Sequence, residues 1–264
     1  MIYNMKKGFT LVELSIVLVI IGLLIGGILV AQSMIDSSKV SSFVAQIQQA
    51  DAAVASFKDR FRYLPGDAPN YSSVGDGDGY IDCGSVCGAT NHIGNWRGEI
   101  ANFWNNIDSN TYAASGVNVS TSGSSKNVPL SKLGKSGSSI VASAKSPSYA
   151  NWVADTTSPA NYYAILGPSA TTQIGIYYFS TTSATTAAVK PTNALALDRK
   201  IDDGVANTGH TLSGSFGDYF NPDVGALNTT AASGCSSGAA YTVATDSEQC
   251  TPIIRIGAQT GDLQ

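Results

Sequence analysis

No charged residue lies between Glu13 and Asp36, and from Leu14 to Ala31 the chain is apolar apart from Ser15. As a helix rising 1.5 Å per residue, the 22 uncharged positions cover about 33 Å, enough to cross the hydrocarbon core of a bilayer. Gly22, Gly26 and Gly27 do not interrupt this reading, because membrane helices tolerate glycine. Beyond the run the pattern changes period rather than stopping. Val40, Phe43, Val44, Ile47, Ala50 or Asp51, Val54, Phe57 and Phe61 recur at steps of three and four, with Ser41, Gln46, Gln48, Gln49, Lys58 and Asp59 between them. That is an amphipathic stripe, and it predicts a covering layer. The Pro65-Gly66 pair is a firm stop. The spacing therefore predicts one helix from about Phe9 to about Arg62, apolar all round in its first half and one-sided in its second. A stripe this short favours packing on a soluble head over a free coiled coil.

After Pro65 the chain is punctuated by turns. Trp96 to Ile107 fits a short helix with Ile100, Phe103, Trp104 and Ile107 on one face. Ser115 to Ser148 is dominated by serine and glycine and reads as loop or weak strand. Tyr162 to Leu166 and Ile174 to Phe179 read as strands, rich in β-branched and aromatic residues. Ala194 to Lys200 fits a strand or a helical turn, Gly214 to Gly225 is turn-rich, and Ile253 to Ile256 closes the regular structure. No tandem repeat is present, and the head reads as a single α+β unit.

The N-terminal run has polar flanks that narrow its role. Lys6 and Lys7 precede it, which favours a cytoplasmic N-terminus and export of the rest. Glu13 sits just inside the apolar stretch, where an unpaired charge is costly unless it reaches the interface or a partner. An ordinary cleaved secretory signal is the competing explanation, but the small-x-small site it needs fits poorly around Leu29 and Ala31.

The residues Gly8-Phe9-Thr10-Leu11-Val12-Glu13, with the lysines before and the apolar run after, resemble the class III signal of type IV pilins and pseudopilins. The resemblance implies cleavage after Gly8 on the cytoplasmic side by a membrane-embedded prepilin peptidase, and methylation of the new N-terminus, Phe9. It implies that the helix is retained, first as an anchor and then as filament core, with Glu13 facing the N-terminal amine of a neighbouring subunit. Such pairing would answer the cost of its burial. The organisation expected is a leader over 1–8, a membrane or filament-core segment over 9–35, an amphipathic continuation over 36–62 and an exported head over 63–264. Less specifically, Tyr63 to Asp67, Gly75 to Gly79, Glu99 with Phe103-Trp104, and Asp198 to Gly204 resemble large proteobacterial pilin-like proteins. That resemblance implies an antiparallel sheet under the helix. The length of the chain and its four cysteines depart from the compact major-pilin pattern.

Charge and cysteine content agree with export. The formal net charge is −4, without a clustered basic stripe, which disfavours a nucleic-acid surface. Cys83, Cys87, Cys235 and Cys250 read as two disulfides in an exported chain. Local pairing is preferred, and crossed pairing stays open. Four-thiolate zinc is disfavoured by the spacings.

Asp76, Asp78 and Asp82 lie at alternating positions of a glycine-loosened run, Gly75 to Asp82, which suits a hard cation such as calcium, with Asp67 completing the shell. The EF-hand frame is incomplete: with Gly79 at its obligatory glycine, Val74 and Ser85 fall where acidic ligands belong. The opposing reading is a solvated turn. Asp198, Asp202, Asp203 and Gly204 read as a capped surface turn, its charge partly met by Arg199 and Lys200.

Catalysis finds no support. His92 and His210 stand in no nucleophile or metal motif, and P-loop and dinucleotide fingerprints are absent. Trp96, Trp104, Trp152, Tyr162 and Tyr177 suit core packing better than a sugar platform. The expectation is a filament subunit that is not an enzyme, with calcium as its sole candidate cofactor. Its expected partners are homologous pilin subunits, the prepilin peptidase, an inner-membrane assembly platform and, before assembly, the lipid bilayer. It would start in the inner membrane with its head periplasmic and end in a filament at the cell surface. A pseudopilin of a type II secretion system, or a membrane-tethered adhesion or ligand-binding module, are the alternatives.

Overall fold

The computed structural model of the chain describes residues 8–69, 75–81, 98–107, 129–145, 160–167, 187–214 and 234–257. Helix α1, Leu11–Phe61, runs unbroken through Gly22, Gly26 and Gly27. By its contacts the chain divides into two compact units, Met1–Lys39 and Val40–Gln264.

In the first unit every large apolar side chain from Phe9 to Ile35 is exposed, and the helix is long and apolar enough to cross a membrane. Its few hydroxyls are satisfied locally. Ser15, Ser33 and Ser37 donate to the carbonyls of Val12, Val30 and Ser33 at 2.9, 2.9 and 3.0 Å. A hydroxyl spent on its own helix adds little cost to burying the helix in an apolar medium.

The second unit is α+β. Val40, Phe43, Val44, Ile47, Ala50, Val54 and Phe57 are buried, so the predicted stripe is the face of α1 turned to the core. Phe61, at its end, is only partly buried. Asp51 is also fully buried on this face and accepts the Gly257 N–H at 3.1 Å, which ties the helix to the far end of the chain. The helix stops at Phe61, where Arg62 turns left-handed with φ 68°. Gly66 follows with φ 90°, and a Cβ there would lie 2.4 Å from the Glu99 carbonyl oxygen. Only glycine fits that approach.

The sheet is antiparallel throughout. β1 (Ser139–Lys145), β2 (Ala160–Leu166), β6 (Thr251–Arg255) and β3 (Thr211–Gly214) lie in the order β1-β2-β6-β3. Tyr163 pairs with Ala142 on one side and Ile254 on the other, and Ile254 pairs with Thr211, so this row crosses all four strands. A two-stranded ribbon, β4 (Ser236–Ser237) and β5 (Ala240–Tyr241), stands apart. Helix α2, Gly98–Ile107, brings Phe103 and Trp104 onto Tyr163, with ring centroids 6.2 and 5.9 Å away. Burial and the neighbouring Asp51 carboxylate hold the Tyr163 hydroxyl neutral, well above its ordinary pKa.

Where the sequence left alternatives open, the structure selects one. The stretch over 115–148 contains a full strand, β1, in which Ile140 and Val141 are buried between serines. Ala194 to Lys200 belongs to helix α3, Pro191–Ile201, which starts with proline in its first turn and buries Ala194, Leu197 and Asp198 on one side. Thr211 to Gly214 forms strand β3, and beyond Gly214 the stretch expected to be turn-rich lies outside the described residues. The expected strand over 174–179, and Trp96, Trp152 and Tyr177, lie outside the described residues. Trp104 is buried in the core, and Tyr162 packs against it from the side.

Candidate functional site

The bond between Gly8 and Phe9 lies in non-helical, exposed chain immediately ahead of α1. Thr10 is the residue before the first helical position, and Glu13 is the third helical residue. The Thr10 N–H donates to Glu13 Oε2 at 2.8 Å, and the Glu13 N–H donates to Thr10 Oγ1 at 3.2 Å. This reciprocal pair is a capping box, which satisfies two backbone donors that a helix start otherwise leaves open. The Thr10 hydroxyl donates to the same Oε2 at 2.9 Å. Glu13 is thus engaged within its own chain, neither bare nor reaching away. The signal for this was in the sequence: threonine three residues before glutamate, ahead of an apolar run. Thr10 is the residue that reading the leader for cleavage alone leaves out.

The second candidate lies in the other unit, where the chain leaves α1. Asp67 is buried, and its carboxylate accepts the N–H of Gly77 at 2.7 Å and of Gly79 at 3.0 Å. Glu99, buried at the start of α2, accepts the Asp76 N–H at 3.0 Å. Exposed Asp76 and Asp78 accept from Asp78 and Tyr80 N–H at 3.2 and 2.8 Å, two local turns of the kind that aspartate forms. The loop closes on β2 through Asn161, which accepts from the Ile81 N–H at 2.8 Å and donates to the Gly79 carbonyl at 3.0 Å.

One carboxylate oxygen from each of Asp67, Asp76 and Glu99 lies within 4.8 Å of the others. The expected set was Asp76, Asp78, Asp82 and Asp67. The structure gathers Asp67 and Asp76 with Glu99, which the loop pattern alone does not reveal because it stands 23 residues further on. Asp82 lies outside the described residues. Desolvation pushes the Asp67 carboxyl up to about 6 and the nearby Asp76 and Asp78 charges add to the rise, while the two glycine N–H groups oppose it.

A similar arrangement closes α3. Asp198, read as part of a surface turn, is fully buried, because it lies on the core face of α3 beside Ala194 and Leu197. It accepts from Tyr241 OH at 2.7 Å and from the Gly204 N–H at 3.2 Å. Burial raises its carboxyl to about 6 against those hydrogen bonds. Asp202 accepts the N–H groups of His210 and Thr211, and Asp203 those of Val205 N–H and Thr208 OH. These acids organise the turn, while Lys200 instead reaches α1 and donates to Ser41 at 2.6 Å.

Cys235 and Cys250 are joined by a disulfide and both are fully buried. The bond closes the ribbon β4–β5 onto the residue before β6, and Cys250 O receives the N–H groups of Ala188 and Val189 at 2.9 and 3.0 Å. Lys190 adds an ion pair to Asp246 within the closed loop at 2.7 Å. Cys83 and Cys87 lie outside the described residues.

Residues 3–29 match the prokaryotic N-terminal methylation motif, the prepilin signal of type IV pilins and pseudopilins. No curated protein and no solved structure matches the chain. The motif ends inside α1, so the similarity covers the chain ahead of the helix from residue 3 and the exposed apolar part of the helix as far as Leu29.

Proposed function

We propose that the chain is a structural subunit of a type IV pilus-like extracellular filament, cut after Gly8 and N-methylated at Phe9. One observation carries the reading: the methylation motif over residues 3–29 runs into the first half of α1, where the large apolar side chains up to Ile35 are exposed on all sides. Such a surface has two stable homes, a bilayer or the equivalent surface of neighbours. Apolar helices gain no hydrophobic term by associating within lipid, so close packing and polar pairing select the partner there. Outside the bilayer the same surface is covered by neighbours at roughly 25 cal/mol per Å². The precursor sits in the inner membrane with Lys6 and Lys7 inside and its head in the periplasm. Prepilin peptidase and an inner-membrane assembly platform act on it, and the product reaches the cell surface. Gly22, Gly26 and Gly27 are the positions at which the helix unwinds locally in the filament.

Glu13→Ala tests this assignment. Gly8 cleavage stays intact while incorporation into sheared filaments is lost. Normal incorporation of the variant removes the role of Glu13. A pseudopilin of a type II secretion system shares every N-terminal feature. Recovery of the chain only from a short, cell-bound assembly whose loss blocks protein secretion selects it. A membrane-tethered ligand-binding module is selected if the processed chain stays in the membrane fraction.

A second part of the proposal is a calcium ion held by Asp67, Asp76 and Glu99. The convergence of their oxygens supports it, two of the three residues being buried. A cation there offsets the mutual repulsion that burial amplifies. Calcium raises the melting temperature of the processed chain relative to chelator, and Glu99→Gln abolishes the shift. Equal melting temperatures remove the ion.

A further inference from the structure

The sequence contains three Asp-Gly bonds, Asp76-Gly77, Asp78-Gly79 and Asp203-Gly204, and all three follow one local plan. The aspartate is exposed, and its Oδ1 accepts the N–H two residues on, from Asp78, Tyr80 and Val205 at 3.2, 2.8 and 2.8 Å. The glycine is left-handed, with φ of 80°, 89° and 79°. That backbone favours glycine, yet glycine after aspartate is chemically hazardous. With no side chain in the way, its nitrogen attacks the aspartate Cγ. The N–Cγ bond forms, and the OH of the protonated carboxyl leaves as water with the nitrogen's proton, which gives a five-membered imide. Water then opens the ring at the main-chain carbonyl, so that the backbone runs through Cβ as isoaspartate. The extra backbone atom destroys the turn.

In all three bonds the glycine N–H is already engaged by a second aspartate, and that one is buried. Asp67 accepts Gly77 on one oxygen at 2.7 Å and Gly79 on the other at 3.0 Å, and Asp198 accepts Gly204 at 3.2 Å. The two acceptors belong to different parts of the fold, Asp67 just past the end of α1 and Asp198 on the core face of α3.

We propose that Asp67 and Asp198 guard the chain against backbone isomerisation: each holds the N–H that ring closure has to remove. An imide nitrogen carries no hydrogen, so closure loses a hydrogen bond to a charged acceptor and leaves that acceptor buried without its donor. The same grip fixes the peptide plane, whereas attack needs the face of the nitrogen turned onto Cγ. Asp76, Asp78 and Asp203 are therefore latent modification sites that the fold keeps closed. The inference goes beyond the filament reading and depends neither on it nor on calcium.

The experiment ages the full-length chain in detergent with chelator at pH 7.5 and 37 °C. Peptide mass spectrometry with electron-transfer fragmentation reads isoaspartate at each site. The expected result is a parent that stays low at all three. Asp67→Ala raises isoaspartate at Asp76 and Asp78 about ten-fold and leaves Asp203 alone, while Asp198→Ala raises Asp203 by a similar factor and leaves the other two alone. Unchanged isomerisation in the alanine variants overturns the inference, and slower isomerisation overturns it by showing that the buried carboxylate assists the attack as a base. The asparagine variants decide the case if alanine unfolds the head. Asp67→Asn can turn an oxygen to only one of its two N–H groups, so one of Asp76 and Asp78 rises and the other stays low. Asp198→Asn keeps an acceptor for Gly204, and Asp203 stays at the parent level. Parent levels at both Asp76 and Asp78 in Asp67→Asn, or a raised Asp203 in Asp198→Asn, contradict the guard role.

Discussion

Asp67 holds Gly77 and Gly79 at once: one oxygen accepts the first N–H at 2.7 Å and the other accepts the second at 3.0 Å. The residue that follows the Pro65-Gly66 break thus fixes a loop ten residues downstream. Gly77 and Gly79 have φ of 80° and 89°, a left-handed backbone that side chains resist. Asp67→Ala leaves both N–H groups in a part-buried site without their acceptor, and the expected loss is about 2–3 kcal/mol. Asp67→Asn keeps one acceptor and costs less. Denaturant unfolding of the processed chain in detergent orders the three as parent, Asn, Ala; an alanine variant as stable as the parent refutes the role.

The acid dependence of stability has a definite sign. Burial raises the folded-state carboxyls of Asp67 and Asp198 from 3.8 to about 6. A raised pKa means that the folded chain binds the proton more tightly than the unfolded one. The resulting stabilisation is complete below about pH 4 and is lost as pH rises through about 6. These two groups therefore make the head more stable at pH 5 than at pH 7.5. Thermal melts at the two values show the gain, and Asp67→Asn with Asp198→Asn flattens it. Calcium at the first cluster acts in the opposite sense, since it favours the ionised form, so its stabilisation is larger at pH 7.5 than at pH 5. A melting temperature that falls steadily on acidification in the parent and not in the double variant contradicts the assignment.

Much of this arrangement is legible in the sequence, for identifiable reasons. The stripe from Val40 to Phe57 is a strong signal because helical period and burial coincide over several turns, and each of those positions is buried. Tyr162 to Leu166 and Ile253 to Arg255 declare themselves as strands by β-branched and aromatic content, and they pair with each other. Strand β1 is quieter because Ile140 and Val141 are its only large apolar residues, set among serine and alanine, and its pairing with β2 decides the matter. In α3 the alternation of Leu195 and Leu197 imitates a strand. The proline in the first turn of α3 was the contrary local signal. Glu99 joins Asp67 and Asp76 only through tertiary placement, which no loop motif encodes. Asp198 looks solvent-facing among Asp202, Asp203 and Arg199, yet the helical face it shares with Leu197 buries it.

The disulfide between Cys235 and Cys250 closes a loop with a sequence separation of 15, which constrains the unfolded chain by about 3 kcal/mol. Cys235→Ser with Cys250→Ser removes that constraint and leaves two polar side chains in a buried site. The expected outcome is a lower unfolding midpoint and faster proteolysis between residues 236 and 249, read by peptide mapping. Unchanged midpoint and unchanged cleavage show that the loop is held by Lys190–Asp246 and the Cys250 backbone contacts without the bond.

The measurement closest to the central claim is intact mass spectrometry of the chain recovered from sheared filaments. The account predicts a single product that begins at Phe9, carries one methyl group on its terminal nitrogen and retains everything from Leu11 to Ile35. A product that begins downstream of Ala31 and is found free in solution contradicts it.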